Sequence, residues 1–160
     1  MQRKMLVVRK AIEADIDAIA ALESVTFSDA WTTKGIYDTF CQKQAFIVSA
    51  EKEGKLVGYC IVYFALDEAE IARVAVDESC RRQGVGRELL DQVQQMCHEK
   101  AITHLLLDVR ESNDTARAFY RDYGFGIDGT RKNFYDSPKE NAVLMSMVIP
   151  TVPTRNSSYI

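Results

Sequence analysis

The apolar positions of this chain change period several times, and each change marks an element. Residues 5–9 alternate as a strand does. Over 13–25, Ile16, Ile19, Ala20, Leu22 and Glu23 fall at helical spacing, with Asp15 near the start. Thr32 and Thr33 are suited to cap a second helix running to about residue 42. Ala45 to Ala50 is apolar and β-prone, Glu53-Gly54-Lys55 is a turn, and Leu56 to Phe64 is a second β run, so 45–64 reads as a hairpin. Residues 69–76 form another strand. A glycine loop and a helix from about 84 to 99 follow, with Val85, Leu89, Val93 and Met96 or Cys97 on one face.

Residues 105–109 are short and almost wholly apolar, which predicts a strand buried on both faces, as parallel strands are. Ser112-Asn113-Asp114 supplies a cap for a helix to about Asp122, and Gly124 suits its C-terminal end. Two strands close the pattern, near 126–134 and 141–149. The order β-α-α-β-β-β-α-β-α-β-β predicts an α/β domain (α+β by some schemes), a mixed sheet with helices on its faces and one strand–helix–strand unit over 69–109. One domain over 1–149 is expected. The run 150–160, with two prolines and several Ser, Thr and Asn, reads as a flexible C-terminal tail.

Composition narrows the classes. With 160 residues, 47% hydrophobic and 27% charged, the chain suits a globular domain with a sizeable core. No apolar run is long enough for a bilayer span and the first residues do not form a secretory signal, so a cytoplasmic protein without membrane association is expected. A net charge of −3 argues against general nucleic-acid binding. The four cysteines, Cys41, Cys60, Cys80 and Cys97, include no C-x-x-C pair, and His98 and His104 do not stand at metal-ligand spacing with them. No metal is expected, and the thiols read as reduced and mostly buried. Cys80, just before the glycine loop, is the one candidate for a reactive thiol.

The loop itself, Cys80-Arg81-Arg82-Gln83-Gly84-Val85-Gly86-Arg87, carries the candidate chemistry. A helix N-terminus offers unpaired N–H groups and the positive end of a dipole. Two glycines allow close backbone approach, and three arginines add charge, a combination suited to a pyrophosphate. A glycine turn opening a helix on a basic surface is the plainer alternative. Leu89 stands where a dinucleotide loop needs its third glycine, and the Gly-Lys-Ser/Thr of a P-loop is absent.

R-R-Q-G-V-G after the strand Val74-Ala75-Val76-Asp77 resembles motif A, Q/R-x-x-G-x-G/A, of the GCN5-related N-acetyltransferases. The strand L-L-L-D-V-R at the right distance, Asn113 after it, and A-R-A-F-Y-R-D-Y-G-F, similar to the family's late Y-x-x-x-G-F motif, agree with it. The resemblance spans nearly the whole chain. It implies a sheet of about seven strands whose two central parallel strands splay apart, about four helices over both faces, and acetyl-CoA as co-substrate. By the same resemblance, amides from Arg82 to Arg87 (with Arg81, Arg82, Gln83, Gly84, Val85, Gly86 and Arg87 forming the loop) hold the pyrophosphate. The backbone of Val74, Ala75 and Val76 pairs with the pantetheine arm, a form of β-augmentation. Asn113 contacts the cofactor near that arm.

Transfer of an acetyl group to an amine needs a proton acceptor for the amine, stabilisation of the thioester oxygen and a proton for the leaving thiolate. By resemblance, Tyr120 is the acid and contacts the cofactor. Two carboxylates compete for the base. Glu70 lies on the strand where histone-type relatives carry a glutamate, and Asp108 matches the glutamate of ribosomal-protein acetyltransferases, one methylene shorter. Away from the resemblance, Tyr120 reads as an amphipathic core residue, and the carboxylates as edge charges paired with Arg73 or Arg110. R-K-N-F-Y-D-S-P-K-E-N-A-V-L-M-S-M, L-D-E-A-E-I, and Phe27 with Trp31 resemble the ribosomal-protein-alanine (RimI-type) subgroup. That implies a protein N-terminal α-amine as acceptor, from a small-subunit ribosomal protein, with Trp31 and Tyr135 lining a peptide groove and a monomer or weak dimer in solution. A small-molecule amine, or a domain that only binds acetyl-CoA, are the alternatives.

Overall fold

The computed structural model describes residues 5–150. The strands are β1 (Leu6–Lys10), β2 (Ala45–Lys52), β3 (Lys55–Ala65), β4 (Glu68–Val76), β5 (His104–Arg110), β6 (Gly126–Tyr135) and β7 (Glu140–Val148); the helices are α1 (Ile16–Thr26), α2 (Thr33–Phe40), α3 (Val85–Glu99) and α4 (Asp114–Tyr123). All seven strands form one sheet in the order β1-β2-β3-β4-β5-β7-β6. Among the described residues only β4 and β5 run parallel, joined by α3.

Period-two patterning sends side chains of each central strand to opposite faces. From β2, Phe46, Val48 and Ala50 join a core that holds Leu89, Leu90 and Val93 of α3, with Phe119 and Tyr120 of α4 packed against it. Ile47 of the same strand, with Tyr59 and Ile61 of β3, meets Ile16, Ile19 and Leu22 of α1 and Ile36 of α2 on the other face. The β2–β3 hairpin turns on Glu53 and Gly54, both at positive φ, between the paired Lys52 and Lys55. That is the primed two-residue geometry that matches strand twist.

Several expectations are refined. The first helical stretch opens with a separate 3-10 turn at Glu13–Asp15, tied to β1 by Arg9–Asp15 contacts of 2.7 Å and 3.0 Å. Thr32 caps α2 by accepting from the Gly35 amide at 3.0 Å, and the helix ends at Phe40 rather than 42. The expectation of burial on both faces of 105–109 is wrong. Leu105, Leu107 and Val109 are buried, but Leu106, Asp108 and Arg110 on the other face are only half-buried. That strand pairs parallel with β4 over four residues only and antiparallel with β7 along its length, and its second face lines a cavity instead of a helix layer. Residues 151–160 of the expected tail lie outside the described residues.

Candidate active site

The parting of β4 from β5 originates in one inserted residue. Against β3, Ile71 pairs with Val62 and Arg73 with Ile61, so Ala72 has no partner. A bulge of this kind bends its strand and adds twist. Parallel pairing with β5 stops there: Glu68 to Ile71 pair with His104 to Leu107, and nothing beyond Ile71 pairs with β5. The expected gap between the central strands is present. Backbone of Val74 to Val76 on that flank is open to an added strand, although the Arg81 Nε now donates to the Val76 carbonyl at 3.1 Å.

Beyond Val76, a 3-10 turn at Glu78–Cys80 is fixed by the Asp77 carboxylate, which accepts from the Ser79 amide at 3.0 Å and hydroxyl at 2.7 Å. Arg82 and Gly84 then take positive φ, 62° and 85°. No side chain caps α3. Its first backbone bond runs from the Glu88 amide to the Gly84 carbonyl, and among the described residues the amides of Arg82 through Arg87 donate to nothing. Gly86 sits close to α4: a Cβ there would stand 3.1 Å from Phe119 Cζ. Free amides at a helix start, positive-φ turns and exposed arginines fit a pyrophosphate-bearing co-substrate. The Asn113 side-chain oxygen instead caps α4 by accepting from the Ala116 amide at 3.1 Å, which leaves its NH2 group as the part able to reach a ligand.

On the α1/α2 side of the sheet a cavity of about 570 Å³ opens beside the gap. Glu70 and Asp108, the two carboxylates singled out from sequence, both line it, together with Leu106, Tyr63 and Arg131. Neither is paired with Arg73 or Arg110. Arg73 is committed to Glu23 and Asp29, and Arg110 to Glu140 and the carbonyls of Asp136 and Pro138. Glu70 keeps contact with solvent, yet the desolvation it does suffer and the nearby charge of Asp108 raise its pKa, against a smaller pull downwards from Arg131.

Tyr120 of α4 packs against the core on the α3 face of the sheet, ring against Phe119 and Phe125 at 5.3 Å and 5.5 Å. Its hydroxyl makes no hydrogen bond among the described residues, and burial, with Cys60 and Tyr135 nearby, raises its pKa so that it holds its proton at neutral pH. The thiols offer no comparable group. Burial pushes Cys97 up to about 12 and raises Cys60, Cys80 is buried in the core, and Cys41 is exposed but outside the cavity lining.

Trp31 and Tyr135, expected to line a peptide groove, are not part of the cavity lining itself. Trp31, in the loop from α1 to α2, faces Tyr63 of the cavity lining with ring centroids 6.5 Å apart. Tyr135, at the end of β6, lies under the Arg110 guanidinium at 4.5 Å, and its pKa is pushed up to about 12 by burial first and by Asp108 second.

Sequence reasoning treats Glu23 as one more position in an apolar row. It is wholly buried and accepts from the Tyr59 hydroxyl, from the Trp31 amide at 3.0 Å and from Arg73 Nε at 3.0 Å. An acidic residue in the core row of an amphipathic helix is the available signal, because a buried carboxylate must find donors.

Comparison with known proteins agrees with this geometry. The family model described as Acetyltransferase (GNAT) family matches residues 16–125. A putative [ribosomal protein bS18]-alanine N-acetyltransferase of Bacillus subtilis is 33% identical over 136 residues, covering 84% of this chain and 90% of the relative. Among solved structures, the ribosomal-protein-S18-alanine N-acetyltransferase of Escherichia coli superposes with a TM-score of 0.83 at 27% identity over 94% of this chain and 97% of that one. Ard1 of Thermoplasma volcanium also gives 0.83, at 29% identity over 91% and 98%.

Proposed function

Given that this chain belongs to the GNAT acetyltransferase family and is an N-acetyltransferase, we propose that it moves an acetyl group from acetyl-CoA to the N-terminal α-amine of a protein, in the first place a ribosomal protein. The observation that carries this reading is the position of two openings on one gap. A loop of free amides ends β4 on one side, and an acid-lined cavity opens beside the same strand on the other.

Acetyl-CoA supplies an acetyl thioester already activated for transfer. The chain's residues do the rest. Amides of Arg82 to Arg87 bind the pyrophosphate, and the open flank of Val74 to Val76 pairs with the pantetheine arm once Arg81 releases the Val76 carbonyl. The side-chain NH2 of Asn113 is left to meet that arm. Glu70 accepts the proton of the acceptor ammonium, since its raised pKa brings it nearer to that of an α-amine, about 7.7–8.0. Asp108 sustains that raised value by its charge. As the new C–N bond forms and the C–S bond breaks, Tyr120 gives its phenolic proton to the departing sulfur, and the second proton shed by the nitrogen passes through solvent to restore the Tyr120 phenol. Transfer is direct, because among the described residues no cysteine lines the cavity to carry the acetyl group. Trp31 and Tyr135 border the acceptor from opposite sides.

An α-amine suits this set better than a lysine. At pH 7 about a tenth of an α-amine is neutral, against well under a thousandth of a lysine side chain. The relatives named as bS18-alanine N-acetyltransferases support an N-terminal alanine as first candidate. The test is acetyl-CoA turnover on peptides with free Ala, Ser, Met or Gly termini, on matched internal-lysine peptides with blocked termini, and on small amines. Mass gain on a free terminus, abolished by blocking it, is expected. Turnover on small amines alone would overturn the acceptor assignment.

A further inference from the structure

Each parted strand sends one arginine to one wall of the gap. Arg110 of β5 holds the turn 136–139 through two carbonyls and Glu140. Arg73 of β4 reaches the other way. Its Nε bonds the buried Glu23 of α1, and its Nη2 bonds the Asp29 carbonyl at 2.9 Å and carboxylate at 3.1 Å. Its guanidinium lies 4.1 Å over the Phe27 ring and 5.5 Å from that of Trp31. Glu23 closes the circuit by accepting from the Trp31 amide. One guanidinium therefore ties helix α1, both ends of the 27–31 segment and the first paired residue after the Ala72 bulge. The same charge acts on Tyr135 across the gap.

We infer that Arg73 is a positioning residue for the acceptor: it fixes the α1–α2 loop so that Trp31 forms one wall of the acceptor groove. The inference rests on the proposed placement of the acceptor beside Trp31. Three features argue for a constraint on that loop beyond general stability. Arg73 has only 14% of its side chain exposed, yet Asp29, which it holds, is 74% exposed, so the bond pins a surface loop rather than filling a core. The fork and the ring stack need a planar guanidinium, which lysine cannot replace. And the bulge at Ala72, which opens the gap, is also what sets the position of Arg73 next to it. The residue that makes room for the reaction and the residue that fixes the acceptor wall are neighbours in the chain.

Trp31 is the one tryptophan of the protein, so its fluorescence reads the loop directly and without turnover. Arg73→Ala and Arg73→Lys would be compared with wild type in the full chain. KM is measured against whichever acceptor the wild-type enzyme turns over, peptide or small amine, so that a wrong acceptor class shows in the wild-type panel and leaves the Arg73 comparison readable. For Arg73→Ala we expect acceptor KM to rise about tenfold, with kcat and acetyl-CoA affinity within about twofold. Trp31 emission should shift to the red, with easier quenching by acrylamide. Arg73→Lys should recover only part of either change. Should Arg73→Ala not fold, Asp29→Ala removes the carboxylate from the outer arm while the bond to the residue-29 carbonyl stays, and it should move both readouts in the same direction, by about two- to threefold in KM. Red-shifted emission with unchanged acceptor KM would overturn the inference, because the loop would then be free and the acceptor indifferent. A raised KM with unchanged emission would overturn it equally, since Arg73 would then act other than through the loop.

Discussion

At the scale of single residues, the proposal turns on two protons. Tyr120 must keep one until sulfur needs it, and a phenol, here with its pKa raised further by burial, is protonated at neutral pH. Tyr120→Phe removes only a hydroxyl that bonds nothing among the described residues, so fold and acetyl-CoA affinity should hold while kcat falls about a hundredfold. CoA release kinetics with calorimetric binding check this. Glu70 must lose its proton to act. Asp108 raises its pKa and Arg131 lowers it. Asp108→Asn should therefore move the acid limb of kcat/KM to lower pH, and Arg131→Gln should move it to higher pH. The amine's own ionisation is common to all variants and cancels in the comparison. Collapse of kcat at every pH in Asp108→Asn would hand the base role to Asp108. Tyr120, Glu70 and Asp108 were legible in the sequence because they sit in motifs. Glu23 and Arg73 were not: they lie 50 positions apart, and only the packing of α1 on β4 brings them to 3.0 Å.

At the scale of elements, the loop before α3 shows how far local chain pattern reaches. Gly-x-Gly ahead of an apolar helix predicts a helix start with open amides, and that is what forms. The reason for the second glycine was hidden, since it depends on α4. Gly86→Val would drive carbon into Phe119, whose ring edge lies 3.1 Å from the point a Cβ would occupy. It should cost about 1–3 kcal/mol of stability and weaken acetyl-CoA by pushing α4 and Tyr120 aside, seen as a lower Tm and a higher calorimetric Kd. Gly84→Ala places a Cβ at φ +85° without meeting any atom, so its cost should stay near 1–2 kcal/mol, roughly that of a left-handed residue. Strand β5 teaches the opposite lesson. Its run of leucines looked like two buried faces, and one of those faces turned out to be cavity wall, because apolar composition does not tell a core from a pocket.

At the scale of the whole molecule, element order and the β2–β3 hairpin were readable, and the neighbours of the closing strands were not. Nothing in the pattern of 126–149 says that β7 inserts between β5 and β6, or that Asp128 is skipped where β6 pairs with β7 and joins the cavity lining. Those are long-range pairings, decided by which faces and edges remain once β2, β3 and β4 have met. The parted strands have a further consequence. A sheet normally keeps its unpaired flank at its outermost strand, whereas this one carries an unpaired flank at its centre, where Ala72 to Val76 turn away from β5. An extended ligand arm that seats there acts as a missing strand. Deuterium uptake over 72–76 should then slow sharply when acetyl-CoA is added, while Val48 to Lys52, laddered on both sides already, should exchange at the same rate with and without it.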